Sequence, residues 1–415
     1  MAKKRALVLC GGGSLGAYEF GCWQYFREKG ITFDAVFGTS IGALNGAMIV
    51  SDAYEEASHL WNTITVGQVI DKGMNINADT LKDYGAEGLF RFARSYFQNS
   101  GADINPLMEV VKNAVNTNKV KTSSIPLGIV TTSYPGMKEK DILVQKDLSE
   151  DEILPYLHAS SACWPIFPIM KIGKNRFVDG GFTNNLPIDF ALREGAEEIV
   201  AIRLKSFPPT PQHVELCSLP GVTTIYSRHE LGSIMDFTPE VLQRNIRFGY
   251  LDAKKTFHDA IGFDYTFSSW GPYEKMADDF FLDAIRDNPL SFDALKKEFT
   301  DANTVPSSSK DYFLLTIERL GEWLSMPLDR EYELVDFFSE ALKISHEVKL
   351  SPADSVKFQK GINRPLRRLE KASYLSYLSH QIRHHHQVKG LKTTLKRNPE
   401  ILLIYSLMKN LLTTK

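Results

Sequence analysis

Gly38-Thr39-Ser40-Ile41-Gly42 is the stretch from which the fold can be read. A serine between two glycines, after an apolar run and before a helical pattern, has the grammar of a nucleophile elbow. The reason is steric. A hydroxyl presented at the top of a sharp strand-to-helix turn needs neighbours with little or no side chain, and glycine tolerates the strained dihedrals found there. The flanks agree with this reading. Ile31, Phe33, Ala35, Val36 and Phe37 fall in a run short enough for a strand, and the small, apolar residues 41–50 suit a buried helix. A helix that starts beside Ser40 aims unpaired amides and its positive end at the hydroxyl, which favours negative charge developing there.

A similar junction lies upstream. Arg5 to Cys10 reads as a buried first strand, Gly11-Gly12-Gly13-Ser14-Leu15-Gly16 as a loop, and Ala17 to Trp23 as the start of a helix. Consecutive glycines let backbone N–H groups converge without Cβ atoms in the way, which suits a phosphate or the oxyanion of an acyl-transfer intermediate. Gly11, Gly13 and Gly16 also have the spacing of a dinucleotide-binding fingerprint, so an oxidoreductase is a rival from another class. That fingerprint needs an acid at the end of the second strand. Asp34 stands at the strand's start, at the wrong edge of the sheet.

A third piece is Phe177-Val178-Asp179-Gly180-Gly181, followed by Asn184-Asn185-Leu186-Pro187 and a helix through Ala191 and Leu192. Asp-Gly alone is a common turn dipeptide. Beside the other two junctions, it places a carboxylate where a strand leaves the sheet.

Together the glycine-rich loop, Gly-Xaa-Ser-Xaa-Gly and Asp-Gly-Gly resemble the patatin-like phospholipase family, over about the first half of the chain, Arg5 to Leu204. Ala159-Ser160-Ser161-Ala162, with Pro165 and Phe167-Pro168, resembles the family's segment before its aspartate. The resemblance implies a lipid acyl hydrolase of phospholipase, lysophospholipase or esterase type, needing neither cofactor nor metal. Ser40 would be the nucleophile, Asp179 its base, and the amides of Gly11, Gly12 and Gly13 the oxyanion hole. Gly38, Thr39, Ile41 and Gly42 would shape the elbow, and Gly180 and Gly181 the aspartate turn. Leu15 departs from the family, which usually has Arg or Lys there; the change removes a charge but no backbone donor.

The chemistry can be stated from the residues. Ser40 Oγ attacks an ester carbonyl, Asp179 takes its proton and passes it to the leaving alcohol, and water then hydrolyses the acyl-enzyme. An ordinary carboxylate is a weak base for a hydroxyl. The scheme therefore expects a desolvated pocket and direct hydrogen-bond reach between the two side chains. A Ser-Asp-His triad is compatible with the chain order, with His213, His229 or His258 as the third member. In that fold, however, the glycine-rich oxyanion loop follows a third strand, not the first. Transfer of the acyl group to an alcohol or thiol, as by a lysolipid acyltransferase, is the closer alternative. Thr39 stands where the acyltransferases of fatty-acid synthesis carry histidine, which favours hydrolysis.

Composition fits a soluble, cytoplasmic enzyme with a substantial core: 415 residues, 24% charged, formal net charge -2. Near-neutral charge gives no case for a nucleic-acid partner. Lys3-Lys4-Arg5 before Ala6 to Cys10 looks superficially like a signal peptide, but the apolar segment is shorter than the roughly 7–15 residues required. No stretch approaches the roughly 18 apolar residues of a membrane span. Cys10, Cys22, Cys163 and Cys217 lack the close pairing of a disulfide framework or zinc knot.

The expected fold is α/β, a largely parallel sheet covered by helices, followed by a mainly α-helical C-terminal region. Further strands are expected at Ile125 to Thr132, Ile142 to Val144 and Ile199 to Leu204. A mainly helical insert spans Leu60 to Val120, in which Leu89, Phe90, Phe92 and Phe97 would pack in a core or roof an acyl pocket. Closely spaced prolines in 206–211 set a boundary, giving domains 1–205 and 206–415, the second divided near 303–310. Thr238-Pro239-Glu240 and Ser351-Pro352 read as helix starts. Phe313, Ile317, Leu320 and Leu324 have helical spacing, as do Leu334, Phe337, Phe338, Ala341 and Leu342. The basic stretch 364–397 is either a solvated helical face or a peripheral contact with an anionic membrane. His380, His384, His385 and His386 raise a metal site, but no nearby acid or cysteine completes one. Protein partners are not legible, although the helical half could serve as a binding module.

Overall fold

In a computed structural model, the structure describes residues 3–69, 105–164, 167–205, 212–286, 292–301, 304–384 and 387–413. Leu89, Phe90, Phe92, Phe97, His385, His386 and the prolines of 206–211 lie outside the described residues. The chain forms two compact units, Met1–Phe257 and His258–Lys415.

The first unit is built on one mixed sheet. Its strands are β1 (Arg5–Leu9), β2 (Ala35–Thr39), β3 (Leu127–Tyr134), β4 (Lys138–Leu143), β5 (Met170–Ile172), β6 (Asn175–Asp179), β7 (Glu198–Arg203) and β8 (Val222–Tyr226). They lie in the order β5-β6-β3-β2-β1-β7-β8, with β4 also against β3. From β3 to β8 the neighbours are parallel, and both central strands are buried along nearly their whole length. That is the behaviour of a sheet covered on both faces. The largely parallel expectation is met in this part. β4, β5 and β6 add an antiparallel side that periodicity did not reveal.

Strand lengths also differ from the sequence reading. The second strand begins at Ala35, not Ile31, and runs through Gly38 to Thr39. β8 follows the proline-rich stretch and pairs with β7, so the sheet continues past residue 205.

The helices that matter to the site follow the strands. They are α1 (Gly16–Glu28), α2 (Ile41–Val50), α3 (Tyr54–Thr63), α4 (Glu150–Ser160), α5 (Ile188–Arg193) and α6 (Pro239–Thr256). α2 is small and apolar on almost every side and is buried accordingly. α1 and α6 pack at backbone distance: a Cβ on Gly249 would come within 1.9 Å of Tyr18 O, and one on Gly21 within 2.0 Å of Ile246 O. Tyr18 Oη donates to Asp252 Oδ2 at 2.8 Å across the same contact. This packing explains why the first unit runs to Phe257, beyond the 205/206 division read from composition.

The second unit is helical, with a short parallel pair at Thr266–Phe267 and Glu331–Tyr332. Phe313, Ile317, Leu320, Leu334, Phe337, Phe338 and Ala341 are all in its core, as their helical spacing predicts. Ser351 Oγ accepts the Asp354 amide at 3.0 Å, capping the helix Pro352–Lys360. In the basic stretch, Leu366, Tyr374, Leu375, Tyr377 and Leu378 are also in that core, while Arg367, Arg368, Arg383, Lys389, Lys392 and Lys396 are exposed.

Candidate active site

Ser40 sits between β2 and α2 with φ 55° and ψ -123°. A non-glycine residue at positive φ costs about 1–3 kcal/mol and persists only where its surroundings impose it. Here the two glycines make the turn possible. A Cβ on Gly38 would lie 2.4 Å from Gly42 O, and one on Gly42 2.7 Å from the Leu9 carbonyl. Any larger side chain would push α2 off the ends of β1 and β2. The Ser40 amide donates to Ser160 Oγ at 2.9 Å, and Ser160 Oγ donates to Val130 O at 2.6 Å. The last residue of α4 therefore holds the elbow against β3.

Asp179 ends β6. Its Oδ2 accepts a hydrogen bond from Ser40 Oγ at 2.7 Å, and its Oδ1 accepts the Gly181 amide at 2.7 Å. The residue is only 6% exposed. Burial pushes its carboxyl up from 3.8 to about 6, against the two donors, which lower it. Gly180 lets the turn pass beside β3: a Cβ there would meet Val130 O at 2.3 Å. Thr39 Oγ1 donates to Asn184 O at 2.9 Å, fastening the end of β2 to the segment that follows the aspartate.

The glycine loop follows β1 and abuts both pieces. A Cβ on Gly11 would lie 3.1 Å from Ser40 Cβ and 2.2 Å from Asn185 Oδ1. The Gly11 amide donates to Asn185 O at 3.1 Å, and Asn185 Nδ2 donates to Gly11 O at 2.9 Å. This corrects the expectation that Gly11 supplies an oxyanion donor, because its N–H is already engaged within the fold. Ser14 N donates to Ile234 O at 2.8 Å and Leu15 N to Gly12 O at 3.1 Å. The amides of Gly12 and Gly13 have no hydrogen-bond partner among the described residues, and both glycines are half-buried. Leu15 itself is wholly buried, so in this chain the position contributes to the core.

The structure thus brings Ser40, Asp179 and the glycine loop together. It does not bring a histidine to them: among the described residues, none bonds to Ser40 or Asp179. His213 pairs with Glu215, His229 lies against Phe248, and His258 is exposed. His380 and His384 have ring centroids 4.5 Å apart, but no group of three metal-ligating side chains occurs among the described residues. No helix among the described residues is long and apolar enough to cross a membrane. Sequence reasoning gave no role to Ser160, Asn184 or Asn185. The doubled serine after Ala159 and the doubled asparagine after the aspartate turn were the available signals.

Residues 7–192 match the family described as Patatin-like phospholipase. Patatin-like phospholipase domain-containing protein 7 of Mus musculus is 27% identical over 203 residues, covering 48% of this chain and 14% of that protein. Lysophospholipase NTE1 of Mycosarcoma maydis is 24% identical over 256 residues, covering 61% of this chain and 12% of its own length. The chain therefore spans 14% or less of either relative. The solved structure of VipD from Legionella pneumophila aligns at 13% identity with a TM-score of 0.42, over 98% of this chain and 90% of that one. Residues 7–192 of this chain are a patatin-like phospholipase domain.

Proposed function

We propose that the chain is a lipid acyl hydrolase that cleaves carboxylic esters through an acyl-enzyme on Ser40, with Asp179 as general base. The observation that carries this reading is the 2.7 Å hydrogen bond from Ser40 Oγ to a buried carboxylate. Burial removes water that would stabilise the anion, so Asp179 becomes a stronger base while still ionised near neutral pH. In the first step, Ser40 Oγ bonds to the ester carbon as its proton passes to Asp179. Collapse of the tetrahedral intermediate breaks the bond to the alcohol, which leaves with that proton. Water then repeats the sequence on the acyl-enzyme and releases the fatty acid.

The free amides of Gly12 and Gly13 are the donors assigned to the oxyanion, each worth about 3–4 kcal/mol in the transition state if well placed. The positive end of α2 adds to the same field. Phe182, which follows the aspartate turn, and Trp164, which follows the Ala162 carbonyl bonded by the Asp179 amide, are each 39% exposed and are proposed as apolar surface for an acyl substrate. The names of the relatives support a lipid ester as substrate, and a phospholipid or lysophospholipid is the first to try. Exposed basic side chains from Arg367 to Lys396 are proposed to meet anionic lipid by charge alone, since the apolar side chains between them are mostly in the core of their unit.

Labelling with a fluorophosphonate tests the nucleophile. The wild type is expected to label and Ser40→Ala to stay unlabelled; label retained by the folded variant overturns the assignment. Product analysis with and without a lysolipid acceptor separates hydrolysis from acyl transfer.

A further inference from the structure

The geometry points to Glu19 as a positioning residue that ties the glycine loop to the helix behind the nucleophile, its two carboxylate oxygens bonding the Cys10 amide and the Asn45 side chain. The inference rests on the reading of Ser40 and the glycine loop given above. Glu19 lies on α1 and is 1% exposed. Its Oε1 accepts Cys10 N at 2.8 Å, at the residue where β1 gives way to Gly11-Gly12-Gly13. Its Oε2 accepts Asn45 Nδ2, also at 2.8 Å, from the middle of α2. One side chain thus bonds both the strand that launches the loop and the helix that begins at the elbow.

The orientation of Asn45 is itself fixed. Trp61 Nε1 on α3 donates to Asn45 Oδ1 at 3.1 Å, and an indole N–H can only donate. The asparagine amide must therefore turn its NH2 toward Glu19, where it also reaches Gly16 O at 3.1 Å. Packing is tight around the same point: a Cβ on Gly16 would lie 2.5 Å from Ile41 Cγ1 and 2.9 Å from Trp61. The starts of α1 and α2 are consequently held at one separation. That separation sets how far the Gly12 and Gly13 amides stand from the carbon that Ser40 attacks. A buried carboxylate is costly unless its oxygens are bonded. Here both bonds run to the two backbone segments whose relative placement the chemistry needs.

A structural role alone would lower thermal stability and leave the folded protein's turnover unchanged. A positioning role predicts a fall in kcat with KM nearly constant, because the oxyanion forms only in the transition state. The experiment compares full-length wild type, Glu19→Gln and Trp61→Phe for hydrolysis of a p-nitrophenyl ester and for the rate of fluorophosphonate labelling. Glu19→Gln must set its NH2 group against one of the two donors, the Asn45 Nδ2 or the Cys10 amide. Measured above about pH 8, where the Glu19 carboxyl is ionised and both oxygens accept, the variant is expected to show kcat and a labelling rate lower by about 10–100-fold, with KM within about twofold. Trp61→Phe replaces the indole with a smaller aromatic ring that has no N–H and frees Asn45 to rotate, and a smaller fall of the same kind is expected.

A folded Glu19→Gln with wild-type kcat overturns the inference, as does a rise in KM alone. Should Glu19→Gln not fold, Trp61→Phe decides, and unchanged kcat there overturns it equally. A wild type that neither turns over nor labels removes the Ser40 reading and this one with it. A reactive wild type beside an equally reactive Glu19→Gln removes only this one.

Discussion

Thr39 and Asp179 occupy consecutive rungs on one edge of β3, Thr39 opposite Val130 and Asp179 opposite Thr131. β4 pairs with β3 along Gly128 to Ser133, so β2 and β6 must share the other edge. They run toward each other from opposite ends and stop where they meet. Ser40, the next residue after Thr39, therefore arrives beside the carboxylate that ends β6. A parallel strand carrying Asp179 would have needed its own place in the sheet order, farther from the elbow.

On the proposed mechanism, that meeting point makes the ionisation of Asp179 the control on reactivity. With its carboxyl raised to about 6, the base is protonated below that pH and ionised above it. For an ester substrate, kcat/KM should rise with pH to a plateau, with a midpoint near 6. A pH-rate profile checks this, and a midpoint near 4 would remove the argument that burial strengthens the base. Asp179→Asn should lower kcat by about a thousandfold or more at every pH.

Ser160 supports the elbow from below. Ser160→Ala leaves the Ser40 amide without its acceptor and should cost about 1–3 kcal/mol of stability. Since the same bond holds the strained φ of Ser40, kcat should fall as well. Denaturant unfolding and initial rates on the same preparation measure the two effects.

Gly11→Ala places a methyl group 2.2 Å from Asn185 Oδ1 and 3.1 Å from Ser40 Cβ. Either Asn185 gives up its bond to Gly11 O or the loop moves away from Ser40. The expected outcome is a loss of about 1–3 kcal/mol and markedly slower ester hydrolysis. Gly30→Ala is the control for stability alone at a glycine, since it meets nothing within 4 Å, although its φ of 63° makes it strained. It should destabilise without changing kcat.

Glu19 gives a stability signature with a definite sign. Burial raises its carboxyl from 4.5 to about 8. Between those values the native state keeps a proton that the unfolded chain has lost, so stability should fall as pH rises through this window. Asp179 contributes in the same direction between 3.8 and about 6. Denaturation midpoints at pH 6 and pH 8.5 should differ more for the wild type than for Glu19→Gln. Equal differences would mean that Glu19 is ionised throughout.

Much of the site was legible in local pattern. Gly38, Gly42 and Ser40 announced the elbow because close backbone approach leaves room for nothing larger, and Asp179-Gly180 announced a turn because a strand had to end there. The partners that hold these pieces were not legible. Ser160 and Asn185 act through bonds to residues far away in sequence, and Glu19 belongs to no motif, although it is the one acid in the apolar and aromatic run from Ala17 to Trp23. The Gly11 amide looked as available as those of Gly12 and Gly13 until Asn185 was seen against it.

The sequence by itself determined the strand-to-helix junctions, the strained serine, the carboxylate at a strand end and the helical C-terminal half, because each depends on neighbours within a few residues. Only the tertiary structure decided which strands share an edge, that β6 runs antiparallel, which amides are free, and where the first unit ends. Those are outcomes of pairing and burial between distant segments, and the competition among partners is settled only when the sheet has formed and water has been excluded from around Asp179 and Glu19.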